Sequence, residues 1–395
     1  MPTYIHPRLD PNERFRERRR QTIRVRRRRR VAALTILLGV GAGIGLGATQ
    51  ITSKHARTPV VAPQKPIRVD KQPLSRGYPR EVRGVHVTMA LAGLDGKIDE
   101  YVALKGYGLN ALEVDVKDEN GKVGFVSPDL PKLARVIGAA QPYYDVSSVV
   151  EKVHAAGMYL IGRVVVFEDP TLSAARPDLA IVRPDGSRWL NNGGLGWTNP
   201  YDKRVWRYVV GIARAAAKAG FDEIQFDYVR FASDGDLSQI VYRHKRAEPK
   251  GTTIASFLRY ASGQLHPLGV RVSADVFGLA ATHDLGIGQV PKRIAPYLDA
   301  IYPMVYPSHF GPGEYGITEP DAYPGRTVAR SLLDFRRQLK GKHTTLIPWL
   351  QDFSLGRPYT VVEVTDQIAA ARRQHAAGFM LWNPEGLYTR EALTD

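Results

Sequence analysis

Carboxylates at the ends of apolar, β-rich segments are the side chains of this chain best suited to chemistry. Segment 221–231 reads FDEIQFDYVRF and alternates with a period of two, as a strand with one buried face does. Its predicted faces are Ile224, Phe226 and Tyr228 on the apolar side and Glu223, Gln225 and Asp227 on the polar side. The polar side chains of a buried strand require a polar environment, and the mouth of a closed parallel barrel provides one. Asp227, near the end of this segment, is therefore the first catalytic candidate.

A second carboxylate falls in the matching position of the next predicted strand. In segment 269–278 the apolar alternate positions are predicted to face the helices, so that Asp275 faces inward. Adjacent strands lie about 4.8 Å apart, and Asp227 and Asp275 are therefore predicted to be neighbours at the mouth. One would donate a proton and the other would act as base or nucleophile, unless Asp275 only accepts hydrogen bonds from loop amides. Glu168 and Glu385 are the reserve acids.

Other polar and aromatic side chains follow the predicted strands and suggest a cleft with aromatic walls. Such a cleft suits sugar rings, which have apolar faces and hydroxyl edges. The candidates for substrate contact are His86, Asp115, Trp197, Arg230, Tyr306, His309, Trp349 and Trp382. Arg230 could instead hold Asp227 ionised or cap the strand end. Trp197 belongs to the long segment 170–202, where tryptophan either contacts a sugar or packs the loop onto the barrel.

Strand-like and helix-like segments alternate along the chain after residue 80. The strands are predicted at 81–88, 111–118, 159–169, 223–231, 269–278, 298–307, 344–353 and 378–385. The helices are predicted at 97–107, 145–157, 203–220, 252–266, 287–297, 326–340 and 360–377. This order and length predict an α/β fold, the (β/α)8 TIM barrel. A doubly wound open sheet competes, but it would want a glycine-rich phosphate loop where residues 87–92 read VTMALA.

Four segments resemble a known family, the putative glycoside hydrolase domain DUF4015. They are RGVHVT at 83–88, FDEIQFDYVRF at 221–231, VSADVFG at 272–278 and PMVYPSH at 303–309. The resemblance spans residues 82–387 and implies a TIM barrel related to the α-amylase and chitinase-like glycosidases. In the chitinase pattern of the fourth strand, a run of aspartates ends in an acidic glutamate. Asp227 matches the last aspartate, but Val229 occupies the glutamate position, which argues against substrate-assisted hydrolysis of that type.

The net charge of +16 is concentrated before residue 81. Residues 1–30 contain 12 arginines and 3 acids, and residues 49–80 contain 7 basic residues and 1 acid. The rest of the chain is therefore close to neutral, at +1. Since the basic charge is not in the globular part, nucleic-acid binding by that part has no electrostatic support.

Residues 31–48 contain no charged side chain and are just long enough to cross a bilayer core. Because the arginine run precedes them, we expect residues 1–30 to be a basic cytoplasmic arm and residues 31–48 a single-pass transmembrane signal-anchor. A cleaved signal peptide is the alternative. The proline-rich residues 49–80 are predicted to form an extended linker, and residues 81–395 to form the barrel on the extracytoplasmic side.

Together these features predict a membrane-anchored extracytoplasmic glycoside hydrolase that acts on a cell-wall polymer or exopolysaccharide. The alternative is a non-catalytic polysaccharide-binding barrel at the cell surface. The chain has no cysteine, which excludes thiol chemistry. It also has no His-x-His or His-Glu-x-x-His pattern, so we expect no metal and no cofactor. Lys117 could form a Schiff base, a reaction class that we rank below hydrolysis.

The predicted topology can be tested by proteolysis of spheroplasts. Added protease should digest residues 81–395, because the positive-inside rule leaves this domain outside the membrane. Immunoblotting against the C-terminal region measures the loss, while a cytoplasmic marker should survive in the same sample. A barrel that stays protected until the membrane is permeabilised would contradict the topology.

Overall fold

The computed structural model describes residues 77–243 and 248–394. Within these two ranges, no helix is long and apolar enough to cross a bilayer. The expected cytoplasmic arm (1–30), the signal-anchor (31–48) and nearly all of the linker (49–80) lie outside the described residues.

The described strands form one closed, parallel barrel. They are β1 (Val82–Val87), β2 (Ala111–Lys117), β3 (Tyr159–Val165), β4 (Glu223–Asp227), β5 (Arg271–Phe277), β6 (Ala300–Val305), β7 (Thr345–Leu346), β8 (Trp349–Gln351) and β9 (Gly378–Trp382). Strands β1 to β6 pair in sequence order, and β9 pairs with both β8 and β1, which closes the ring. Because β7 and β8 are two halves of one barrel strand, the predicted (β/α)8 TIM barrel is confirmed.

The seventh barrel strand is interrupted at Pro348, where the sequence predicted one continuous strand at 344–353. Proline has no N–H to donate to a ladder, so β6 pairs with β7 before it and with β8 after it. The carbonyl oxygen of Pro348 still accepts a hydrogen bond from Met380 N at 2.9 Å. The break leaves Trp349 as the first residue of β8, with its ring inside the barrel.

Helices cover the outside of the barrel. They are α1 (Met89–Ala92), α2 (Lys97–Ala103), α3 (Lys132–Val136), α4 (Val146–Ala155), α5 (Pro170–Ala175), α6 (Lys203–Ala219), α7 (Lys250–Leu265), α8 (Pro291–Ile294), α9 (Pro324–Leu339) and α10 (Val361–Arg373). The helix predicted at 287–297 is shorter than expected, because only α8 and a 3-10 turn at Ala295–Tyr297 form there. The other predicted helices are found within a few residues of their expected bounds.

Strand β4 has the two faces that its alternation predicts. Ile224 and Phe226 have no exposed surface and pack in the outer core between sheet and helices. Glu223 and Gln225 point into the barrel, where they contact side chains of neighbouring strands. The strand ends at Asp227, earlier than predicted, because Tyr228 adopts a φ of 49°, which a strand cannot accommodate.

The amino end of the barrel is filled by a buried polar cluster around Glu223. Ser273 Oγ donates to one carboxylate oxygen of Glu223 at 2.5 Å, and Tyr159 Oη donates to the other at 3.1 Å. Tyr78 lies in the last part of the expected linker, yet its ring packs edge-on against Tyr159 and lies 3.8 Å from the guanidinium of Arg271. The segment ahead of β1 therefore helps to close this end of the barrel.

Burial of Glu223 makes the stability of the barrel depend on pH. Burial raises the pKa of Glu223 to about 7, although the neighbouring hydroxyl groups of Ser273, Tyr302 and Tyr159 act in the opposite direction. A carboxyl group whose pKa is higher in the folded than in the unfolded chain stabilises the fold fully when the pH is below the unfolded pKa. This contribution is lost as the pH rises to the folded pKa of about 7.

We therefore expect Glu223→Gln to be more stable relative to the wild type at pH 8 than at pH 5, by on the order of 3 kcal/mol. Urea unfolding of both proteins at the two pH values measures the difference. The exposed Glu151→Gln serves as the control and should show no such change. An equal effect of Glu223→Gln at both pH values would show that Glu223 does not titrate in this range.

Candidate active site

A guanidinium group that is 13% exposed joins two carboxylates at the carboxyl ends of β2 and β4. Arg163, on the inward face of β3, donates from Nε and Nη2 to one oxygen of Asp227 at 3.0 and 2.7 Å. Its Nη1 donates to Asp115 at 2.7 Å and lies 3.6 Å from Glu119. The other oxygen of Asp227 accepts a hydrogen bond from Tyr228 N at 2.6 Å. Asp227 is thus held as the anionic partner of a strong ion pair.

Asp275 sits in a different environment, although it lies on the adjacent strand. The side chains of Gln225 and Trp349 both donate to its Oδ1, at 2.5 and 2.7 Å. No hydrogen bond from residues 77–243 or 248–394 reaches Oδ2. Burial, with a smaller contribution from the charge of Asp227, raises the pKa of Asp275 well above its usual range. Oδ2 is therefore the oxygen that can carry a proton.

The strand register brings these two carboxyl groups to the same level of the barrel. Gln225 pairs with Ser273 and Phe226 pairs with Ala274, so the next position along the two strands places Asp227 beside Asp275. The effect of the Asp227 charge on the pKa of Asp275 agrees with this placement. The two candidates predicted from the sequence therefore meet at the mouth, one in an ion pair and one without a cationic partner.

A histidine on β1 and one further acid on β2, Glu113, continue the network. His86 Nδ1 lies 2.6 Å from Glu113 Oε2, and His86 Nε2 lies 3.7 Å from Asp115 Oδ2. Burial lowers the pKa of His86, but Asp115 and Glu113 raise it more, and the net shift is upward. Burial raises the pKa of Glu113, whereas His86 acts to lower it. His86 is therefore hydrogen-bonded to a buried acid and faces the carboxylate that Arg163 binds.

Aromatic rings at the carboxyl ends of β6, β8 and β9 line the same region. Tyr306 and Trp382 are stacked, with ring centroids 5.5 Å apart and an interplanar angle of 28°. Phe353 meets Trp382 edge-on at 5.2 Å, and the His309 ring lies 5.4 Å from that of Tyr306. Burial raises the pKa of Tyr306, and the charges of Asp275 and Asp227 add to this effect. This wall therefore adjoins the two carboxyl groups, with Trp382 its half-buried member.

The structure places Trp197 and Arg230 together, in a packing arrangement beneath the loop. The Trp197 side chain has no exposed surface and Arg230 is 1% exposed. The guanidinium of Arg230 lies 4.8–4.9 Å from the rings of Trp197, Tyr228 and Phe277. Trp197 thus has no face available to a sugar, and its position supports the packing alternative. The guanidinium that binds Asp227 belongs to Arg163, whereas Arg230 supports the turn at Tyr228.

The reserve acids and the strand-end lysine lie in other surroundings. Glu168 is buried and accepts a hydrogen bond from Asn191 Nδ2 at 3.0 Å, which ties the long loop to the barrel. Glu385 is exposed on the segment after β9. Lys117 is completely buried and lies 3.0 Å from Asp169, so its amine is held as a structural cation. Neither reserve acid joins the network around Arg163.

Arg163 and Glu113 were not predicted from the sequence, and Gln225 was assigned to a polar strand face without a role in the site. All three lie inside strands, whereas the candidates were predicted near or after strand ends. The sequence nevertheless contained a sign of their role, because inward-facing positions of a barrel strand are usually apolar or small, and these positions are polar. A charged residue in the inward register, such as Arg163 two residues before the end of β3, marks the polar layer of the barrel.

The comparisons with known proteins agree with this architecture. The family model for DUF4015, a putative glycosyl hydrolase domain, matches residues 84–388. A hypothetical protein from Ruminiclostridium thermocellum ATCC 27405 is 38% identical over 49% of this chain and 97% of its own, with a TM-score of 0.45. No curated protein matches the chain.

Two solved glycosidase structures share the fold at low sequence identity. The PgaB (BpsB) glycoside hydrolase domain from Bordetella bronchiseptica is 14% identical, with a TM-score of 0.56, and covers 80% of this chain and 99% of its own. The GH20 exo-β-N-acetylglucosaminidase from Vibrio harveyi is also 14% identical, with a TM-score of 0.53, and covers 80% and 54%. At these identities the likeness extends to the barrel fold.

Replacement of Arg163 tests the charge balance of the site. We expect Arg163→Gln to lower the free energy of unfolding by about 3–5 kcal/mol, because it leaves Asp115 and Asp227 buried without their cation. Urea unfolding at pH 8 measures the loss. Addition of Asp227→Asn to this variant should recover part of it, since one of the two unpaired charges is then removed.

The matched control is Arg176→Gln, which breaks a partly exposed ion pair with Asp178. Its effect should be much smaller, because solvent screens exposed pairs. Equal losses from Arg163→Gln and Arg176→Gln would contradict the central position of Arg163.

Proposed function

We propose a function from one premise: the chain belongs to the DUF4015 family of putative glycosyl hydrolase domains. On that premise, the protein is a glycoside hydrolase that cleaves a poly- or oligosaccharide at the mouth of its barrel. One observation carries the proposal. Two carboxyl groups on adjacent strands occupy unlike environments, with Asp227 bound to a guanidinium and Asp275 buried without a cation. Glycosidases use such a pair, one member protonated and the other ionised.

Asp275 is proposed as the general acid. Its raised pKa favours the protonated form, and both donors on Oδ1 leave Oδ2 to bear the proton. As the glycosidic bond breaks, this proton passes to the leaving oxygen, and Asp275 becomes an anion. Gln225 and Trp349 then stabilise the new charge through the hydrogen bonds that they already make, without reorganisation.

Asp227 is proposed as the nucleophile or base on the other side of the bond. Arg163 binds one of its oxygens, and Tyr228 N fixes the direction of the other. The φ of 49° at Tyr228 is a strained conformation for a bulky residue, and such strain occurs at functional sites where surrounding contacts enforce it. The aromatic packing of Arg230 against Tyr228 supplies those contacts. Asp115 and His86 are proposed to bind substrate hydroxyls beside this pair.

The finer setting of the activity is also a proposal. The arginine run of residues 24–30 followed by the uncharged residues 31–48 supports a membrane anchor with the barrel outside the cytoplasm. A barrel on a stalk in that position would meet a cell-wall polymer or exopolysaccharide. A screen of the protein against fragments of both polymer classes, with reducing ends as the readout, identifies the substrate.

Asp227→Asn and Asp275→Asn should each remove most of the hydrolysis found in that screen. Asparagine keeps the shape of the side chain but cannot attack as a carboxylate or donate a carboxylic proton. General acid catalysis alone contributes about 10²–10⁴ in rate, so we expect a fall in kcat of at least a hundredfold with glycan binding retained.

The control is Asp129→Asn, an exposed aspartate paired with Lys218, which should keep full activity. A loss below tenfold in either active-site variant would reject the role given to that residue. Glycan binding by the wild type with no hydrolysis of any fragment would favour the non-catalytic polysaccharide-binding barrel.

A further inference from the structure

We infer that a second sugar-binding subsite lies at the edge of the barrel mouth, an inference that rests on the proposed hydrolase function. A cavity of about 380 Å³ opens between the loop after β1 and the loop after β2. The lining residues that matter here are Leu94, Asp95, Tyr143, Asp145, Ser148 and Lys152. Both loops leave the carboxyl ends of their strands, the end that also carries His86 and Asp115. The cavity therefore lies on the same face of the barrel as the candidate active site.

Two adjacent tyrosines connect the cavity to that site. Tyr144 is buried, and its hydroxyl donates to the backbone oxygen of Asp115 at 3.0 Å. Its neighbour Tyr143 projects outward and is 42% exposed, while its N–H donates to Gly124 O at 3.0 Å. The exposed ring of Tyr143 therefore extends from a backbone segment that is fixed by hydrogen bonds, one of which joins its neighbour Tyr144 to β2.

The two loops are in close contact, which makes the cavity a fixed feature. A Cβ atom added at Gly93 would lie 2.0 Å from the backbone oxygen of Tyr143, so no other residue fits there without moving a loop. Leu94 follows directly and is 57% exposed. Leu94 and Tyr143 therefore present apolar surface to solvent from a rigid frame, as in a pre-formed binding site.

The polar lining selects the chemical class of the ligand. Asp145 Oδ1 accepts hydrogen bonds from Ser147 N and Ser148 N, which leaves its second oxygen for another donor. Asp95 adds a second carboxylate, and the cation of the lining, Lys152, is paired with Asp99 at 2.7 Å. Such a lining accepts hydroxyl donors and repels anions. The fitting ligand is an uncharged sugar unit that places its apolar face on Tyr143, rather than a uronate or a phosphorylated sugar.

A subsite on the same face as the carboxylate pair implies a substrate with several sugar units. The unit that is cleaved lies at Asp227 and Asp275, and another unit of the same chain lies at Tyr143. Affinity should therefore increase with chain length until the chain reaches the cavity. Short oligosaccharides should occupy the catalytic centre alone.

Calorimetry with the full chain carrying Asp275→Asn, which prevents turnover, tests this inference. The probes are trimers and octamers of β-1,4-linked N-acetylglucosamine, β-1,4-linked glucose and α-1,4-linked glucose. We expect the octamer of at least one series to bind about tenfold more tightly than its trimer. Addition of Tyr143→Ala should abolish that difference with no change in trimer affinity, and Tyr143→Phe should preserve it. Polygalacturonate should not compete for the cavity.

Tyr297→Ala is the matched control, because Tyr297 is a half-buried tyrosine just before β6, at the opposite end of the barrel. It should leave the octamer affinity unchanged. If Tyr143→Ala also leaves the octamer preference intact while the wild type hydrolyses one of these glycans, the subsite is overturned and the proposed function stands. If the wild type neither binds nor hydrolyses any member of this panel or any fragment of the wider screen, the proposed function fails and the subsite fails with it.

Discussion

The ion pairs of Arg163 set how much negative charge the mouth of this barrel can hold. Acidic side chains from β2, β4 and β5 converge there. Like charges that lie close together in a buried setting destabilise one another. Arg163 offsets this by binding Asp115 and Asp227 through different nitrogens of one guanidinium. The planar fork of arginine suits this geometry, which a lysine could not reproduce.

One consequence is that two chemically identical side chains, those of Asp227 and Asp275, have different hydrogen-bond partners. Asp227 receives the guanidinium, whereas Asp275 receives only the neutral donors Gln225 and Trp349. The same strand register that brings the two together also lets the charge of one raise the pKa of the other. A parallel barrel achieves this without a dedicated loop, because inward positions on adjacent strands meet at one level. The loops then add the aromatic wall and the outlying cavity around a core that the strands define.

The fold and the inward placement of Asp227 and Asp275 on neighbouring strands could be predicted from the sequence, because both depend on periodicity. Asp227 and Asp275 could be located by counting in steps of two from apolar neighbours, without knowledge of distant contacts. The partner of Asp227 could not be predicted in this way, because Arg163 is 64 residues away in the chain and only the barrel register brings the two together. Arg230, three residues away in the chain, was the nearer candidate, yet the turn at Tyr228 directs it into an aromatic cage. Trp197 illustrates the same limit, because a tryptophan in a long loop suits either a binding surface or a buried anchor.

Asp275 is proposed to be a neutral acid beside the carboxylate of Asp227 that Arg163 binds. Carbon-13 NMR of aspartate-labelled protein, with Asp275 assigned by comparison with Asp275→Asn, measures its protonation directly. The account predicts that the Asp275 carboxyl carbon keeps the chemical shift of a protonated acid at pH 7. It also predicts that this signal moves to that of a carboxylate at lower pH in Asp227→Asn, because the neighbouring charge is then gone. An Asp275 carboxyl group that is already fully ionised at pH 6 in the wild type would contradict the account.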